Sequence, residues 1–337
     1  GFENLTGSDY NDVLSGNSGA NVMDGRGGID TISFATAGGP VILDLLARTA
    51  SVAGIVDQVL NFENAIGSSF ADILRGDRGD NIFDGRGGPD TVSYANLLLA
   101  DGGVPADLSK AGFQDTGAAG FDRFESIENL TGSLNNDTLI GNSGDNALDG
   151  GLGNDLLRGG TGQDTAFYGS IAVGLGVVVN LSTTTAQNTV GAGTDTLESI
   201  ENLVGSVNDD TLTGSSGANV LDGRLGNDRL TGGLGNDSFV FSSALSTSNV
   251  DLIIDFNAAN DTIQLANEFF SGLPAGALAA SAFVVGAAAG DANDRIIYNK
   301  NSGALYFDSD GNGASAAIRF ATITNGATLT AADFFII

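Results

Sequence analysis

The sequence predicts an all-β repeat fold in which short parallel strands stack into a solenoid. Three observations support this prediction: a nine-residue unit occurs fourteen times, 51 of the 337 residues are glycine against four prolines, and one position of every unit is apolar. Self-similarity at a fixed period is typical of solenoids, because one short strand cannot bury its apolar face without a stacked neighbour.

The units form four blocks, at residues 7–33, 67–93, 132–167 and 205–240. The third block, GSLNNDTLI GNSGDNALD GGLGNDLLR GGTGQDTAF, shows the pattern. Position 1 is always Gly, and glycines at positions 1 and 4 permit the positive φ angles and close backbone approach of a tight turn. Positions 7–9 are expected to form a strand whose middle residue, always apolar, points inward.

Position 6 carries an aspartate or an asparagine in every unit. Two units make one rung, so that units n and n+2 stack with their position-6 carboxylates about 4.8 Å apart, the strand spacing. Two such charges repel by roughly 3–4 kcal/mol at an effective dielectric constant near 20, and we therefore expect a divalent cation between the turns. The aspartates are Asp12, Asp30, Asp72, Asp90, Asp137, Asp155, Asp164, Asp210, Asp228 and Asp237, and the asparagines are Asn21, Asn81, Asn146 and Asn219.

The composition limits which cation could bind and which classes of function are possible. The net charge is −28, from 41 acidic against 13 basic residues, which argues against nucleic acid as a partner. The absence of Cys and His excludes disulfides, zinc or copper held by thiolate or imidazole, and nucleophilic catalysis with a His base. Oxygen ligands remain, and these suit calcium and magnesium.

The units resemble the repeats-in-toxin (RTX) family, whose G-G-x-G-x-D-x-U-x unit binds calcium. The resemblance implies a parallel β-roll with several Ca²⁺ ions shared by units n and n+2, and it makes all fourteen position-6 residues metal ligands. The first unit of each block departs from the pattern, with Ser at position 2 and no Gly at position 4, so we expect a distorted turn and a weaker site there. The implied pairs within blocks are Asp12 with Asp30, Asp72 with Asp90, Asp137 with Asp155, Asn146 with Asp164, Asp210 with Asp228, and Asn219 with Asp237.

Three insertions separate the blocks, and we interpret them as wider rungs of the same solenoid. Each ends in a phrase such as ESIENLTGS, with Glu63, Glu128 or Glu201. We interpret these glutamates as hydrogen-bond or ion-pair partners at a rung corner, rather than as a carboxylate site. The predicted domains are a repeat solenoid at 1–240 and a C-terminal β-rich capping and secretion region at 241–337.

The C-terminal region resembles that of serralysin-like secreted RTX proteins, and this resemblance implies export by a type I apparatus. The ending Asp333-Phe334-Phe335-Ile336-Ile337 is similar to the export signal, although an ordinary last strand is also compatible with it. The segment Asp308–Gly313, DSDGNG, fits the start of an EF-hand loop, but Arg319 occupies its twelfth position, which favours a hairpin turn over a calcium site. No apolar run is long enough for a transmembrane helix, and no signal peptide is evident. The chain starts without Met inside a repeat lead-in, so we expect it to be a piece of a longer protein.

Two functions fit these observations. The first is a secreted calcium-binding structural or adhesive module at the surface of a Gram-negative bacterium, with partners that include itself or a surface polysaccharide. The alternative is the non-catalytic RTX tail of a larger secreted protease, lipase or polysaccharide epimerase. Enzymatic activity of these residues is not expected, because every patterned Asp has a ligand role and no HExxH or GxSxG motif occurs.

Overall fold

The computed structural model describes residues 3–337, which divide between Asp164 and Thr165 into a first and a second compact unit. Within the described residues the only helical segments are single 3-10 turns, at Leu99–Asp101, Gly117–Ala119, Ala280–Ala282 and Ala331–Asp333. None of these has the length or apolar character to cross a bilayer. The predicted all-β fold of stacked parallel strands is confirmed. The predicted domain boundary at residue 240 follows repeat content and stays a prediction.

Short strands make up the first unit. They are β1 Asn4–Thr6, β2 Val13–Leu14, β3 Val22–Asp24, β4 Thr31–Ser33, β5 Val41–Asp44, β6 Thr49–Val52, β7 Ile55–Leu60, β8 Asn64–Ile66, β9 Ile73–Arg75, β10 Ile82–Asp84, β11 Thr91–Ser93, β12 Pro105–Asp107, β13 Gln114–Asp115, β14 Phe121–Glu125, β15 Asn129–Thr131, β16 Thr138–Ile140, β17 Ala147–Asp149 and β18 Leu156–Arg158.

Consecutive nonapeptides of the first unit alternate between sheets, so that each strand pairs in parallel with the strand two units away. β2 pairs with β4, β9 with β11, and β16 with β18. The insertions continue this stacking, because β7 pairs in parallel with β3 and β14 with β10. Within the first two insertions, the antiparallel pairs β5–β6, β6–β7 and β13–β14 widen the rung.

The second unit begins with the same parallel stacking and ends in a region without nonapeptides. Its strands are β19 Thr165–Phe167, β20 Val178–Asn180, β21 Gln187–Asn188, β22 Thr194–Glu198, β23 Asn202–Val204, β24 Thr211–Thr213, β25 Val220–Asp222, β26 Arg229–Thr231, β27 Ser238–Phe241, β28 Asp251–Ile253, β29 Thr262–Leu265, β30 Gly276–Ala277, β31 Phe283–Val285, β32 Ile296–Asn299, β33 Ala304–Phe307, β34 Ile318–Ile323 and β35 Phe334–Ile336.

The last nonapeptide strands of the second unit are covered by strands from the C-terminal region. β28 pairs in parallel with β26, and β29 pairs in parallel with β27. Beyond them, Phe270 and Phe320 lie with ring centroids 5.1 Å apart in an edge-to-face contact. This arrangement buries large apolar side chains and pairs strand edges that would otherwise be free to aggregate.

The core of both units is the position-8 column. Every position-8 residue is fully buried except Leu14, which is partly exposed. The register keeps this column aligned across the insertions: Met23 lies opposite Val59, and Phe83 lies opposite Phe124. Because side chains alternate between faces along a strand, positions 7 and 9 point away from this core.

Candidate metal centres

The position-1 glycines have no room for a Cβ. A Cβ added to Gly25 or Gly85 would lie 2.5 Å from Oδ2 of Asp30 or Asp90, closer than real contacts permit, and closer still to the backbone carbonyl of Asn61 or Ser126. The φ angles of these two glycines are not in the left-handed region. Position 1 is therefore glycine because the position-6 carboxylate and a backbone carbonyl both lie against it, whereas the predicted positive φ angles occur elsewhere in the unit.

Two kinds of turn follow from the residues at positions 2 and 4. In the third unit of a block both positions have positive φ, as at Arg26 (72°) and Gly28 (131°), or Arg224 (69°) and Gly226 (131°). In the first and second nonapeptides of each block, a side chain at position 2 accepts the position-4 N–H instead, as Asn17 Oδ1 accepts from Gly19 at 2.7 Å. The first units, with Ser at position 2, and the second units, with Asn, Asp or Ser there, therefore share one turn geometry, which differs from that of the third units.

The position-6 residues of units n and n+2 are joined in a hydrogen-bonded ladder. In each of the six predicted pairs, Oδ1 of the later aspartate accepts the backbone N–H of the earlier position-6 residue, at 2.8–2.9 Å. The two residues of each pair therefore lie on adjacent rungs, and both belong to the same one of the two compact units. Their role as metal ligands stays a proposal. The pairs are Asp12 with Asp30, Asp72 with Asp90, Asp137 with Asp155, Asn146 with Asp164, Asp210 with Asp228, and Asn219 with Asp237.

The second oxygen of the position-6 side chain differs between the two turn types. In the first units the position-2 N–H donates to it, at 2.6 Å from Ser133 to Asp137 and 2.6 Å from Ser206 to Asp210. In the second units an asparagine takes this place, and its Oδ1 accepts the same N–H, as from Asn142 to Asn146 at 2.7 Å. In the first and second units, whose turns lack positive φ, position 6 thus finds its hydrogen-bond donors within the protein.

In the third units of the first, second and fourth blocks the same oxygen is buried and has no hydrogen-bond partner. This holds for Oδ2 of Asp30, Asp90 and Asp228, whose side chains are at most 1% exposed. The position-2 N–H that could have served them donates to the preceding position-9 aspartate, as Arg86 donates to Asp84 at 3.0 Å. A buried anionic oxygen without a donor is costly unless a cation lies against it. These residues therefore fit a hard divalent cation.

The remaining ligands of such a cation must be other oxygens. The described residues contain no cluster of three or more acidic side chains able to hold a metal ion. Calcium takes six to eight oxygens and accepts backbone carbonyls and water among them. A site built from two ladder carboxylates and turn carbonyls is compatible with this requirement.

Without a cation, several ladder carboxylates are held in an unfavourable environment. Burial, with a smaller contribution from Asp72 and Glu128, raises the pKa of Asp90 to about 7. Burial also raises the pKa of Asp237 to about 6, and Asp261 adds to the effect. Burial, together with repulsion from the neighbouring Asp251, also raises the pKa of Asp228.

The ladder extends beyond the nonapeptides onto residues that the sequence analysis did not include among the ligands. Glu63 accepts the N–H of Asp30 at 2.7 Å, and Glu128 accepts the N–H of Asp90 at 2.9 Å. The backbone carbonyl of Glu201 accepts from the amide of Asn219 at 2.6 Å. The predicted hydrogen-bonding role is thus observed for Glu63 and Glu128.

Four aspartates outside the repeats occupy the same ladder position. Asp57 and Asp122 accept the N–H of Asn21 and Asn81 at 2.7 and 3.0 Å. Asp251 and Asp261 accept the N–H of Asp228 and Asp237 at 3.0 Å. The signal that could have found them is an acid two residues before a buried apolar residue, as in Asp-Gln-Val from Asp57.

The two segments singled out near the C terminus have structural roles. The loop Asp308–Gly313 connects the antiparallel strands β33 and β34, as the hairpin interpretation expected. Phe334–Ile336 is β35, which pairs in parallel with β29, and Asp333 accepts the N–H and hydroxyl of Thr330. A last strand of this kind leaves the export-signal interpretation a prediction.

The stacked parallel strands and their carboxylate-bearing turns define the chain as a β-solenoid. A sequence profile described as the RTX calcium-binding nonapeptide repeat matches the chain in four copies, at residues 1–32, 62–92, 131–166 and 204–239. The four blocks are therefore RTX repeats, as predicted from their sequence, and repeats of this family bind calcium at multiple sites.

Two further comparisons add little. The crystal structure of the extracellular lipase LipA from Serratia marcescens matches with 14% sequence identity and a TM-score of 0.16. That match covers 98% of this chain but only 39% of the lipase chain, and so weak a superposition carries no argument. Comparison with curated proteins gives no significant match.

Proposed function

We propose that the chain is a secreted structural or adhesive module whose β-roll folds when it meets extracellular calcium. The observation that supports this proposal is the set of buried, partnerless oxygens on Asp30, Asp90 and Asp228, in turns that belong to a calcium-binding repeat family. Bound calcium would supply positive charge and oxygen coordination at these turns. The position-6 carboxylates would serve as its ligands, together with their partners two units away.

The calcium concentration differs between the two sides of the cell envelope, so folding would be favoured on the outer side. Extracellular calcium modules bind at about 10⁻⁴–10⁻³ M, far above cytosolic calcium. A cation that binds only the folded state adds stability at each site, so the roll would form outside the cell. An unfolded chain of net charge −28 suits passage through a narrow type I channel. RTX proteins are typically secreted by Gram-negative bacteria, which supports this localisation.

The module would act through its surface rather than through catalysis. The repeat aspartates have ligand roles, and the chain contains no His or Cys. Its partners would be a second copy of itself or a cell-surface polysaccharide. This part of the proposal goes beyond the repeats themselves, since calcium binding alone does not distinguish an adhesive module from an enzyme tail.

A binding experiment tests the proposed function. Sedimentation velocity and capture on immobilised outer-membrane polysaccharide are measured with about 1 mM Ca²⁺ and with chelator. We expect self-association or capture only with calcium, and loss of both in the Asp90→Asn/Asp228→Asn variant. A folded, calcium-loaded protein that stays monomeric and ignores the polysaccharide would exclude the adhesive role and leave the calcium sites intact.

A further inference from the structure

The first two insertions place a buried aspartate at the same point of the fold, with different surroundings. Asp57 pairs across its rung with Ala50, and Asp122 pairs with Gln114 in the same antiparallel arrangement. Each accepts the backbone N–H of a second-unit asparagine. The two aspartates are therefore structural equivalents, and their neighbours can be compared one by one.

Asp122 has a full set of hydrogen-bond donors. Its Oδ2 accepts the Tyr94 hydroxyl at 2.8 Å and the Thr116 hydroxyl at 2.9 Å, while its Oδ1 accepts the N–H of Asn81. Asp122 is 0% exposed. The Asp122 carboxylate therefore has donors on both oxygens and does not need a further ligand.

In the first insertion both hydroxyls are absent. Phe34 takes the place of Tyr94, since the N–H groups of both residues donate to the strand that follows their insertion, at 2.8 Å. Val52 takes the place of Thr116, two residues after the partner of the aspartate. Within residues 3–337, the N–H of Asn21 is then the only hydrogen-bond donor to the Asp57 side chain, which is 5% exposed.

The missing hydroxyls coincide with a cavity. A cavity of about 270 Å³ is lined by Asp57, Phe34, Val52 and Ile55, and by small polar residues of the neighbouring turn such as Ser18. We name it the Asp57 pocket. Burial raises the pKa of Asp57, and only the Asn21 N–H opposes that effect.

We propose that the Asp57 pocket binds a small organic cation, a primary ammonium group carried on an apolar body. The ammonium would donate to the carboxylate oxygen that Tyr94 and Thr116 serve in the second insertion. Charge-assisted hydrogen bonds of this kind are roughly twice as strong as neutral ones. The apolar body would lie against Phe34, Val52 and Ile55.

The apolar walls favour an organic cation over a second calcium ion at this place. Calcium requires six to eight oxygens and favours several carboxylates, whereas Asp57 is the only acidic residue among the described residues that line the pocket, and Phe34, Val52 and Ile55 offer no oxygen from their side chains. A pocket with apolar walls and one convergent charged group is typical of small-molecule sites.

Binding of three probes of similar size to the full chain in saturating calcium tests the proposal. Benzylamine, benzyl alcohol and benzoate are compared by saturation-transfer NMR and calorimetry. We expect benzylamine to bind about tenfold or more tightly than benzyl alcohol, because a charge-assisted hydrogen bond replaces a neutral one, and benzoate not to bind. Asp57→Asn should remove this preference, while Asp9→Asn, which removes an exposed charge of the same block, should not.

A second variant keeps the test decisive if Asp57→Asn fails to fold. Phe34→Tyr/Val52→Thr introduces the two hydroxyls of the second insertion and should abolish benzylamine binding while the roll stays folded. Equal binding of amine and alcohol, or amine binding that survives in the double variant, overturns the proposal. It is also overturned if benzylamine does not bind and Asp57→Asn lowers the number of bound calcium ions by one, since the pocket is then a metal site.

Discussion

Asp90 and Asp122 occupy equivalent ladder positions, and both carboxylates are buried, but the protein supplies them with different hydrogen-bond donors. Asp90 leaves Oδ2 without a partner, whereas the two oxygens of Asp122 accept two hydroxyls and one N–H. Burial raises the pKa of both, to about 7 for Asp90 and about 6 for Asp122. A position in the ladder therefore does not by itself require calcium. Whether the carboxylate needs a cation depends on the hydrogen-bond donors around it.

The largest effect is expected from crowding the carboxylate of a calcium turn. Gly85→Ala places a methyl group 2.5 Å from Oδ2 of Asp90 and against the backbone carbonyl of Ser126, and it should destabilise the calcium-loaded protein by about 1–3 kcal/mol or more. Gly87→Ala lies two residues away in the same turn, where an added Cβ meets nothing within 4 Å. Thermal unfolding in calcium compares the two, and similar losses would mean that the turn tolerates no side chain for some other reason.

Asparagine substitutions should separate the two carboxylates by calcium dependence. Asp90→Asn should lower the number of bound calcium ions and destabilise only the calcium-loaded protein, because the neutral amide relieves repulsion when calcium is absent. Asp122→Asn should leave calcium binding unchanged and cost about 1–3 kcal/mol with or without calcium, since it disturbs the hydroxyl partners. Equilibrium dialysis and denaturant unfolding measure both quantities. A change in calcium number for Asp122→Asn would contradict the comparison.

Removal of one hydroxyl should give a smaller effect of the same kind. Tyr94→Phe should destabilise the first unit by about 1 kcal/mol, independently of calcium. Tyr10→Phe is the matched control, because Tyr10 is 81% exposed and its loss of a hydroxyl should be neutral. If the Tyr94→Phe effect disappears in calcium, Asp122 belongs to a metal site after all.

A separate effect concerns pH in the absence of calcium. The folded pKa values of Asp90 and Asp237, about 7 and about 6, lie above the unfolded value near 3.9, so the calcium-free fold binds more protons than the unfolded chain. The destabilisation is full above pH 7 and is lost as the pH falls toward 4. Residual β-structure in chelator should therefore increase on mild acidification, by circular dichroism. A decrease over this range would contradict the raised pKa values.

Much of the fold was predictable because the repeat columns report local geometry directly. The Gly, Asp and apolar columns predicted the strands at positions 7–9 and the stacking of Asp12 on Asp30, as the hydrogen bond between them shows. Asp57 and Asp122 were not predicted as ladder residues. The antiparallel strands of the insertions change the number of residues per rung, so a comparison of the sequence in steps of nine does not align these aspartates with position 6. The difference between Phe34 and Tyr94 becomes meaningful only once their shared position is known.

Folding in a calcium titration tests the central claim most directly. Circular dichroism and small-angle X-ray scattering are recorded on the full chain from chelator to several times the expected dissociation constant of about 10⁻⁴–10⁻³ M, with Mg²⁺ as the control. A cooperative gain of β-structure and compactness near millimolar Ca²⁺, reversed by chelator and not reproduced by Mg²⁺, is the predicted result. Full β-structure and compact dimensions in chelator would contradict the account.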